Sequence, residues 1–211
     1  MLFYRIVHFF VARGSAFVYR ARMRGRDRLP KNGGYVLAPS HRSMMDIPFL
    51  AAVTPRRVRF MGKVQVFKIP VVGTLFRWLG GFPVQRDGTD RKAVRDSIEI
   101  LQGGEPLVVY PEGTRQHGAA IQPLQPGAAY LAIRAGVPIV PVGIAGSEEI
   151  FRSHGTKVPH FGRVGIVVGE PIHPPASSSG AVKRDVVNEV TDALAKELQQ
   201  VFDEAYELRK H

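Results

Sequence analysis

The stretch Tyr35-Val-Leu-Ala-Pro-Ser-His-Arg-Ser-Met-Met-Asp46 contains the junction around which we expect the fold to be organised. Its first four residues are apolar, as in a buried strand, and Pro39 ends that strand. A turn with His41 and Asp46 follows, and Pro48 suits the first turn of the next helix. On a regular helix, five positions rotate a side chain by about 140°, so the imidazole and the carboxylate could not meet. A strand-to-helix turn allows them to meet.

A second strand-to-turn junction contains a compact set of groups that can bind an anion. The apolar residues 107–110 predict a strand, and Pro111-Glu-Gly-Thr-Arg115 follows it. Gly113 permits a sharp turn with exposed backbone N–H groups, while Thr114 and Arg115 add a hydroxyl and a planar guanidinium for phosphate oxygens. Alone, this motif is also typical of an ordinary turn with an Arg–Glu surface pair. A third strand end, at residues 81–86, adds Arg86.

Strands and helices alternate along the rest of the chain. The predicted strands are 35–38, 58–61, 82–85, 106–110, 138–144 and 164–168, and the predicted helices are 48–53, 91–102, 127–135 and 182–208. This alternation predicts a single α/β domain with a mostly parallel central sheet flanked by helices. Polar groups that follow such strands share one edge of the sheet, where α/β folds place their sites.

Composition narrows the functional classes. There is no cysteine, which excludes disulfides, thiolate catalysis and cysteine-based zinc sites. The net charge is +11, with 21 arginines and 8 lysines, and this balance favours polyanionic partners. Genomic base composition is an alternative explanation for the arginine excess. Because the chain has no nucleic-acid-binding signature, we expect an anionic membrane surface, and no nucleic acid, as the partner.

Two segments combine bulky apolar residues with cations, as interfacial membrane binding requires. Residues 2–19 predict an amphipathic helix that includes Phe3 and Phe10, and the alternating arginines 20–28 predict a strand with one cationic face. Residues 67–79 form the second patch, with Phe67, Phe76 and Trp78 as its membrane-facing members. The alternative is a helix that only covers the core, with both patches internal.

The chain is expected to stay on the cytoplasmic side. No apolar run reaches the roughly 18 residues of a spanning helix, because Arg5, His8 and Arg13 interrupt the best candidate. That segment also lacks the cleavage site of a secretory signal. We therefore expect peripheral or monotopic attachment to the cytoplasmic face of the cell membrane.

His41 and Asp46 have the residue types of a base and the acid that orients it. Asp46 would accept a hydrogen bond from one imidazole nitrogen and leave the other free as a base. A histidine near an aspartate is more often structural or solvated. The position after a strand and the second motif, Glu112-Gly-Thr-Arg115, favour the catalytic interpretation.

Together these motifs resemble the glycerophospholipid acyltransferase family that makes phosphatidic acid from lysophosphatidic acid. Its four blocks occur in order, over about residues 22–172: His41-x4-Asp46, residues 81–86, Glu112-Gly-Thr-Arg115 and Val137-Pro-Ile-Val-Pro-Val142. Lys63 and Phe67-Lys-Ile-Pro70 also match what the family has between its first two blocks. The family often has Asn before the catalytic His, where this chain has Ser40.

The resemblance implies roles for individual residues. His41 would be the catalytic base and Asp46 its orienting acid, and the acceptor's phosphate would be bound by Lys63, Arg86, Glu112, Gly113, Thr114 and Arg115. The N-terminal and final helices lie outside the matching blocks, and it is the residue pattern that leads us to expect an interfacial helix over residues 1–21 and the acyltransferase domain over residues 22–211. The expected donor is acyl-CoA or an acyl carrier protein, with no cofactor and no metal. The open alternatives are another acceptor, such as glycerol 3-phosphate, another lysophospholipid or a lyso-aminolipid, and a non-catalytic lipid-binding module.

Overall fold

One sheet of seven strands forms the centre of the molecule. We describe residues 13–84, 91–150, 159–175 and 182–210 from a computed structural model. The strands are β1 Arg22–Arg24, β2 Val36–Pro39, β3 Arg59–Lys63, β4 Gly81–Val84, β5 Leu107–Val108, β6 Ile139–Ala145 and β7 Gly165–Val168. The helices are α1 Asp46–Val53, α2 Val64–Phe67, α3 Pro70–Trp78, α4 Arg91–Gln102, α5 Gly127–Ala135 and α6 Arg184–Leu208, and two 3₁₀ turns span Arg26–Arg28 and Ser147–Glu149.

The sheet is mostly parallel, as the sequence predicts. Its strand order is β1-β7-β6-β2-β5-β3-β4, and only the β6–β7 pair is antiparallel. Helices cover both faces. Helices α4, α5 and α6 pack on one face, and α1 packs on the other with Tyr19 and Leu29. This arrangement confirms the predicted single α/β domain.

Two glycines let α6 lie directly on the sheet. A Cβ atom at Gly143 of β6 would lie 2.1 Å from the Val201 carbonyl oxygen, and one at Gly165 of β7 would lie 1.9 Å from that of Ala205. Neither separation is sterically possible, so any side chain there would push the helix away. The close approach buries Phe202 against the sheet.

The chain segments that carry the predicted site meet at one edge of the sheet. Because β2, β3, β5 and β6 are parallel, the residues that follow them lie at a shared carboxyl edge. The antiparallel β7 begins at this same edge, since Gly165 pairs with Ala145 at the end of β6. Strand β1 is parallel to β7 and begins there too, with Arg22 opposite Gly165. The segments just before β1 and β7 therefore border the site.

The predicted arginine-faced strand is shorter than expected. It ends at Arg24, because Gly25 adopts a left-handed conformation with φ of 77° and begins a 3₁₀ turn. Arg26 then donates a hydrogen bond to the Val53 carbonyl, and Arg28 pairs with Glu170 at 2.8 Å. Of the predicted N-terminal helix, residues 13–18 are helical, whereas Phe3 and Phe10 lie outside the described residues. The domain division at residue 21 stays a prediction.

The segment between β3 and β4 corrects one membrane-facing prediction, that of Phe67. Phe67 is buried under Gly62, and its ring meets Phe76 edge-on at 6.1 Å. Phe67 therefore belongs to the core. Phe76 packs against Phe60, at 5.7 Å, and is partly buried there, so its membrane-facing role stays a prediction. Trp78 is half exposed, and the other exposed apolar residues of this segment are Ile69, Val71, Val72 and Leu75. Within the described ranges, no helix has the length and apolar character needed to cross a bilayer.

Candidate active site

The turn after β2 brings His41 and Asp46 together. Ser40 fixes the start of this turn, because its Oγ exchanges hydrogen bonds with the N–H and the carbonyl of Ile144 on β6. Asp46 is the first residue of α1, and its Oδ2 lies 2.9 Å from His41 Nδ1. This contact leaves Nε2 as the ring nitrogen available to a substrate. The His41 side chain is 17% exposed, so the site can be reached from solvent.

Four donors surround the Asp46 carboxylate, which is fully buried. Besides His41, its Oδ2 accepts hydrogen bonds from the backbone N–H groups of Arg42 and Ser43, both at 2.9 Å. Its Oδ1 accepts one from Ser147 Oγ at 2.6 Å. A buried charge is tolerated when its hydrogen-bonding capacity is filled, and bonds to an ionised acceptor are the stronger ones. The carboxylate is therefore held rigidly beside the imidazole.

Ser147 is a site residue that the sequence analysis missed. It lies 101 positions from Asp46, in the 3₁₀ turn that follows β6. The available signal was its place just beyond the fourth block, at the end of a predicted parallel strand. Serine is too common at such turns for that position alone to indicate a partner, and only the β2–β6 pairing brings the two side chains together.

Glu112 lies inside the protein, where it links the two motifs. Arg42 Nη1 donates to both of its carboxylate oxygens, at 2.9 and 3.1 Å, and both side chains are fully buried. The remaining donors are the backbone N–H groups of His41, at 2.9 Å, and Gln122, at 3.1 Å. With these contacts made, the carboxylate does not face a substrate. The prediction that Glu112 binds phosphate directly is therefore wrong in its geometry.

The rest of the second motif is exposed beside His41. Gly113 has φ of 73° and makes the turn, and Thr114 and Arg115 lie on the surface. The Gln116 N–H donates to the His41 carbonyl at 2.8 Å, which fixes this loop against the first motif. Lys63 is exposed at the carboxyl end of β3, on the same edge. The predicted Arg86 lies outside the described residues.

Tyr110 covers one face of the His41 ring. The two rings stack with their centroids 3.9 Å apart and their planes 28° apart. Burial raises the pKa of the Tyr110 phenol well above its usual range, and the nearby Asp46 charge raises it further. The hydroxyl therefore stays protonated at neutral pH and cannot act as a base.

The chain is similar to known acyltransferases. Residues 20–145 match the family model described as Acyltransferase. The chain is 27% identical over 199 residues to a 1-acyl-sn-glycerol-3-phosphate acyltransferase of Bacillus subtilis (strain 168), across 91% of this chain and 92% of that relative. It is 28% identical to the mouse (Mus musculus) 1-acyl-sn-glycerol-3-phosphate acyltransferase alpha, across 88% of this chain but 64% of that enzyme.

The chain also spans about half the length of a chloroplastic relative and has the fold of a solved structure. The Brassica napus acyltransferase BAT2 is 27% identical, with 80% of this chain and 51% of that protein aligned. The crystal structure of the 1-acyl-sn-glycerophosphate (LPA) acyltransferase PlsC from Thermotoga maritima superposes with a TM-score of 0.76. At 24% identity, covering 99% of this chain and 80% of that one, it shows the shared fold.

We predict that Ser147→Ala lowers the free energy of unfolding by about 1–3 kcal/mol, because Asp46 Oδ1 stays buried without its donor. Urea titration followed by circular dichroism measures the change. Ser97→Ala is the matched control, since it removes a buried hydroxyl that donates to the Ala93 carbonyl within α4. If both variants changed the free energy of unfolding by the same small amount, the buried Asp46 carboxylate would not depend on the Ser147 donor.

Proposed function

This chain belongs to the Acyltransferase family, and we propose that it transfers a fatty acyl group from an acyl thioester to the free hydroxyl of lysophosphatidic acid, giving phosphatidic acid. The observation that carries this proposal is the His41–Asp46 pair, whose free Nε2 lies on the same sheet edge as the exposed Arg115. The names of the bacterial, mouse and plant relatives support this acceptor.

In the proposed reaction, His41 acts as a general base. Its Nε2 takes the proton of the acceptor hydroxyl while that oxygen attacks the thioester carbonyl carbon. The C–S bond then breaks, and the proton on the imidazolium passes to the departing thiolate of coenzyme A or acyl carrier protein. The new ester bond and the free thiol balance the reaction without a covalent enzyme intermediate. A positioned general base contributes about 10²–10⁴ in rate.

Asp46 fixes which nitrogen of His41 does this work. With Nδ1 bonded to Oδ2, the proton of the neutral ring lies on Nδ1 and Nε2 keeps its lone pair. When the imidazolium forms, its positive charge lies beside a carboxylate that three other donors hold in place. The carboxylate needs no reorientation as the charge develops, which is the condition for efficient electrostatic stabilisation.

The acceptor's phosphate is assigned to cations of the same edge. Arg115 offers a planar guanidinium, Thr114 adds a hydroxyl, and Lys63 is exposed at the end of the neighbouring β3. The sequence assigns Arg86 to the same role. Glu112 supports these phosphate-binding groups indirectly. It accepts hydrogen bonds from Arg42 and from the His41 N–H, and so connects the loop that contains Thr114 and Arg115 to the base.

We also propose that the carboxyl edge rests on an anionic membrane. Several exposed apolar side chains lie around this edge, in the segments before β1 and β7 and after β2 and β3: Phe17, Val18, Met44, Ile69, Val71, Val72 and Phe161. The exposed cations Arg20, Lys63, Lys68, Arg115 and Arg163 are interspersed among them. A site that opens toward the cytoplasmic leaflet would accept a lysolipid and release a two-chain product without carrying acyl chains through water.

We expect His41→Ala to lower turnover at least a hundredfold, because the reaction loses its general base. Purified enzyme, lysophosphatidic acid and acyl-CoA are combined, and the phosphatidic acid formed is measured by mass spectrometry. His173→Ala is the matched control, since His173 follows Ile172, which pairs with Ile139 at the opposite edge of the sheet. If a folded His41→Ala protein kept more than about a tenth of the rate, the base assignment would fail.

Arg115→Ala should reduce kcat/KM for lysophosphatidic acid by about ten- to a hundredfold, the value of one charge-assisted hydrogen bond. Monoacylglycerol, which has no phosphate, should be used equally by both proteins. Arg184→Ala, at the exposed start of α6, is the control for loss of one positive charge. A change in thioester kinetics with unchanged lysophosphatidic acid kinetics would instead assign Arg115 to the donor.

Binding to vesicles tests the membrane proposal. Wild-type protein should co-sediment with vesicles of anionic lipid at low salt, and less so as salt rises, because each basic residue near the surface contributes about 1 kcal/mol. Val71→Asp and Phe161→Asp should each weaken binding, since both side chains are at least 80% exposed. Asn188→Asp on α6 adds the same charge at an exposed position and should leave binding unchanged. Equal vesicle binding by all four proteins would refute the proposal that the carboxyl edge contacts the membrane.

A further inference from the structure

Tyr110 is a polar residue next to the base that the reaction above does not use. Its ring lies face to face with His41 at 3.9 Å, whereas aromatic pairs in proteins usually have centroids roughly 4.5–7 Å apart. Its hydroxyl is buried and has no hydrogen-bond partner among the described residues. The ring of Tyr110 thus contacts the base, whereas its hydroxyl contacts no polar group among the described residues. Separate substitutions can remove the hydroxyl alone or the whole ring.

The turn of the second motif presses this ring onto the imidazole. The Gly113 N–H donates to the Tyr110 carbonyl at 3.1 Å, which closes the turn directly after the tyrosine. Two hydrogen bonds then join the same loop to the backbone of His41, one to Glu112 and one from Gln116. The stacking is therefore fixed by the same contacts that connect the two motifs.

The charged groups around His41 leave one face of its ring to be stabilised by Tyr110. Asp46 is bonded at the edge of the imidazole, at Nδ1. Among the described residues, Arg42 and Glu112 also bond to His41, but they neutralise each other and contact its backbone N–H and carbonyl. When His41 takes a proton, Asp46 therefore stabilises the new positive charge at the ring edge, while the face of the ring meets Tyr110. The π-face of an aromatic ring attracts a cation, most strongly where water is excluded.

We propose that Tyr110 is a positioning residue whose aromatic ring, and not its hydroxyl, orients His41 and stabilises the imidazolium that forms during acyl transfer. The inference rests on the proposed function, because it requires His41 to gain a positive charge in the reaction. It predicts that residue 110 must be aromatic and that phenylalanine at this position supports acyl transfer as well as tyrosine does.

The test compares four variants of the full-length enzyme in the mass-spectrometric assay. Tyr110→Leu and Tyr110→Met remove the ring and should lower kcat about three- to thirtyfold with KM for both substrates unchanged. Tyr110→Phe should keep kcat within about twofold and a melting temperature no lower than wild type, since the hydroxyl it removes has no partner. Tyr130→Leu, on the exposed side of α5, is the matched control.

Each other outcome overturns the inference. If Tyr110→Phe lowers kcat as much as Tyr110→Leu does, the hydroxyl and not the ring contributes to the reaction. If the leucine and methionine variants keep wild-type kcat, the ring has no part in the reaction. A loss confined to KM would assign Tyr110 to substrate binding. Failure of the proposed function is distinguishable from all of these, because the wild-type protein would then form no phosphatidic acid, or His41→Ala would form it at the wild-type rate, whatever the Tyr110 variants do.

Discussion

The buried ion pair between Arg42 and Glu112 is the contact on which the geometry of the site depends. It joins two turns 70 positions apart in sequence, at 2.9 Å and out of solvent. A buried pair of this kind adds little net stability compared with apolar packing, but removal of one partner leaves an uncompensated charge and costs about 3–5 kcal/mol. Its main effect here is to fix relative position, because Glu112 also accepts the N–H of His41.

A second buried network holds the acid of the pair in place. Asp46 receives donors from its own turn and from Ser147, so the ends of β2 and β6 both contribute to one carboxylate. With the Ser40–Ile144 bonds added, the turn that contains His41 is held by contacts to the segments of both neighbours of β2 in the sheet, namely β5 and β6. Because several strands contribute these contacts, the short turns leave the two side chains little freedom, which is what catalysis by positioned groups requires.

Much of the fold could be predicted because it depends on periodicity. Helices α4 and α5 have the predicted bounds, and most strands begin or end within one or two residues of the predicted positions. The alternating arginines 20–28 misled the prediction, since Gly25 ends the strand after Arg24. The prediction that Phe67 faces the membrane was also wrong. Its bulky apolar side chain suits a membrane surface and a core equally, and the glycine at position 62 provides the space that buries it.

The sequence by itself determined the motifs, their order and the edge of the sheet where they meet, because the carboxyl ends of parallel strands must lie together. It also paired His41 with Asp46, because a short turn limits how far apart they can lie. Only the tertiary structure decided the contacts of Glu112, Ser147 and Tyr110. These are contacts between residues 69 to 101 positions apart. Whether a carboxylate faces a ligand or a buried arginine depends on packing that no local pattern encodes.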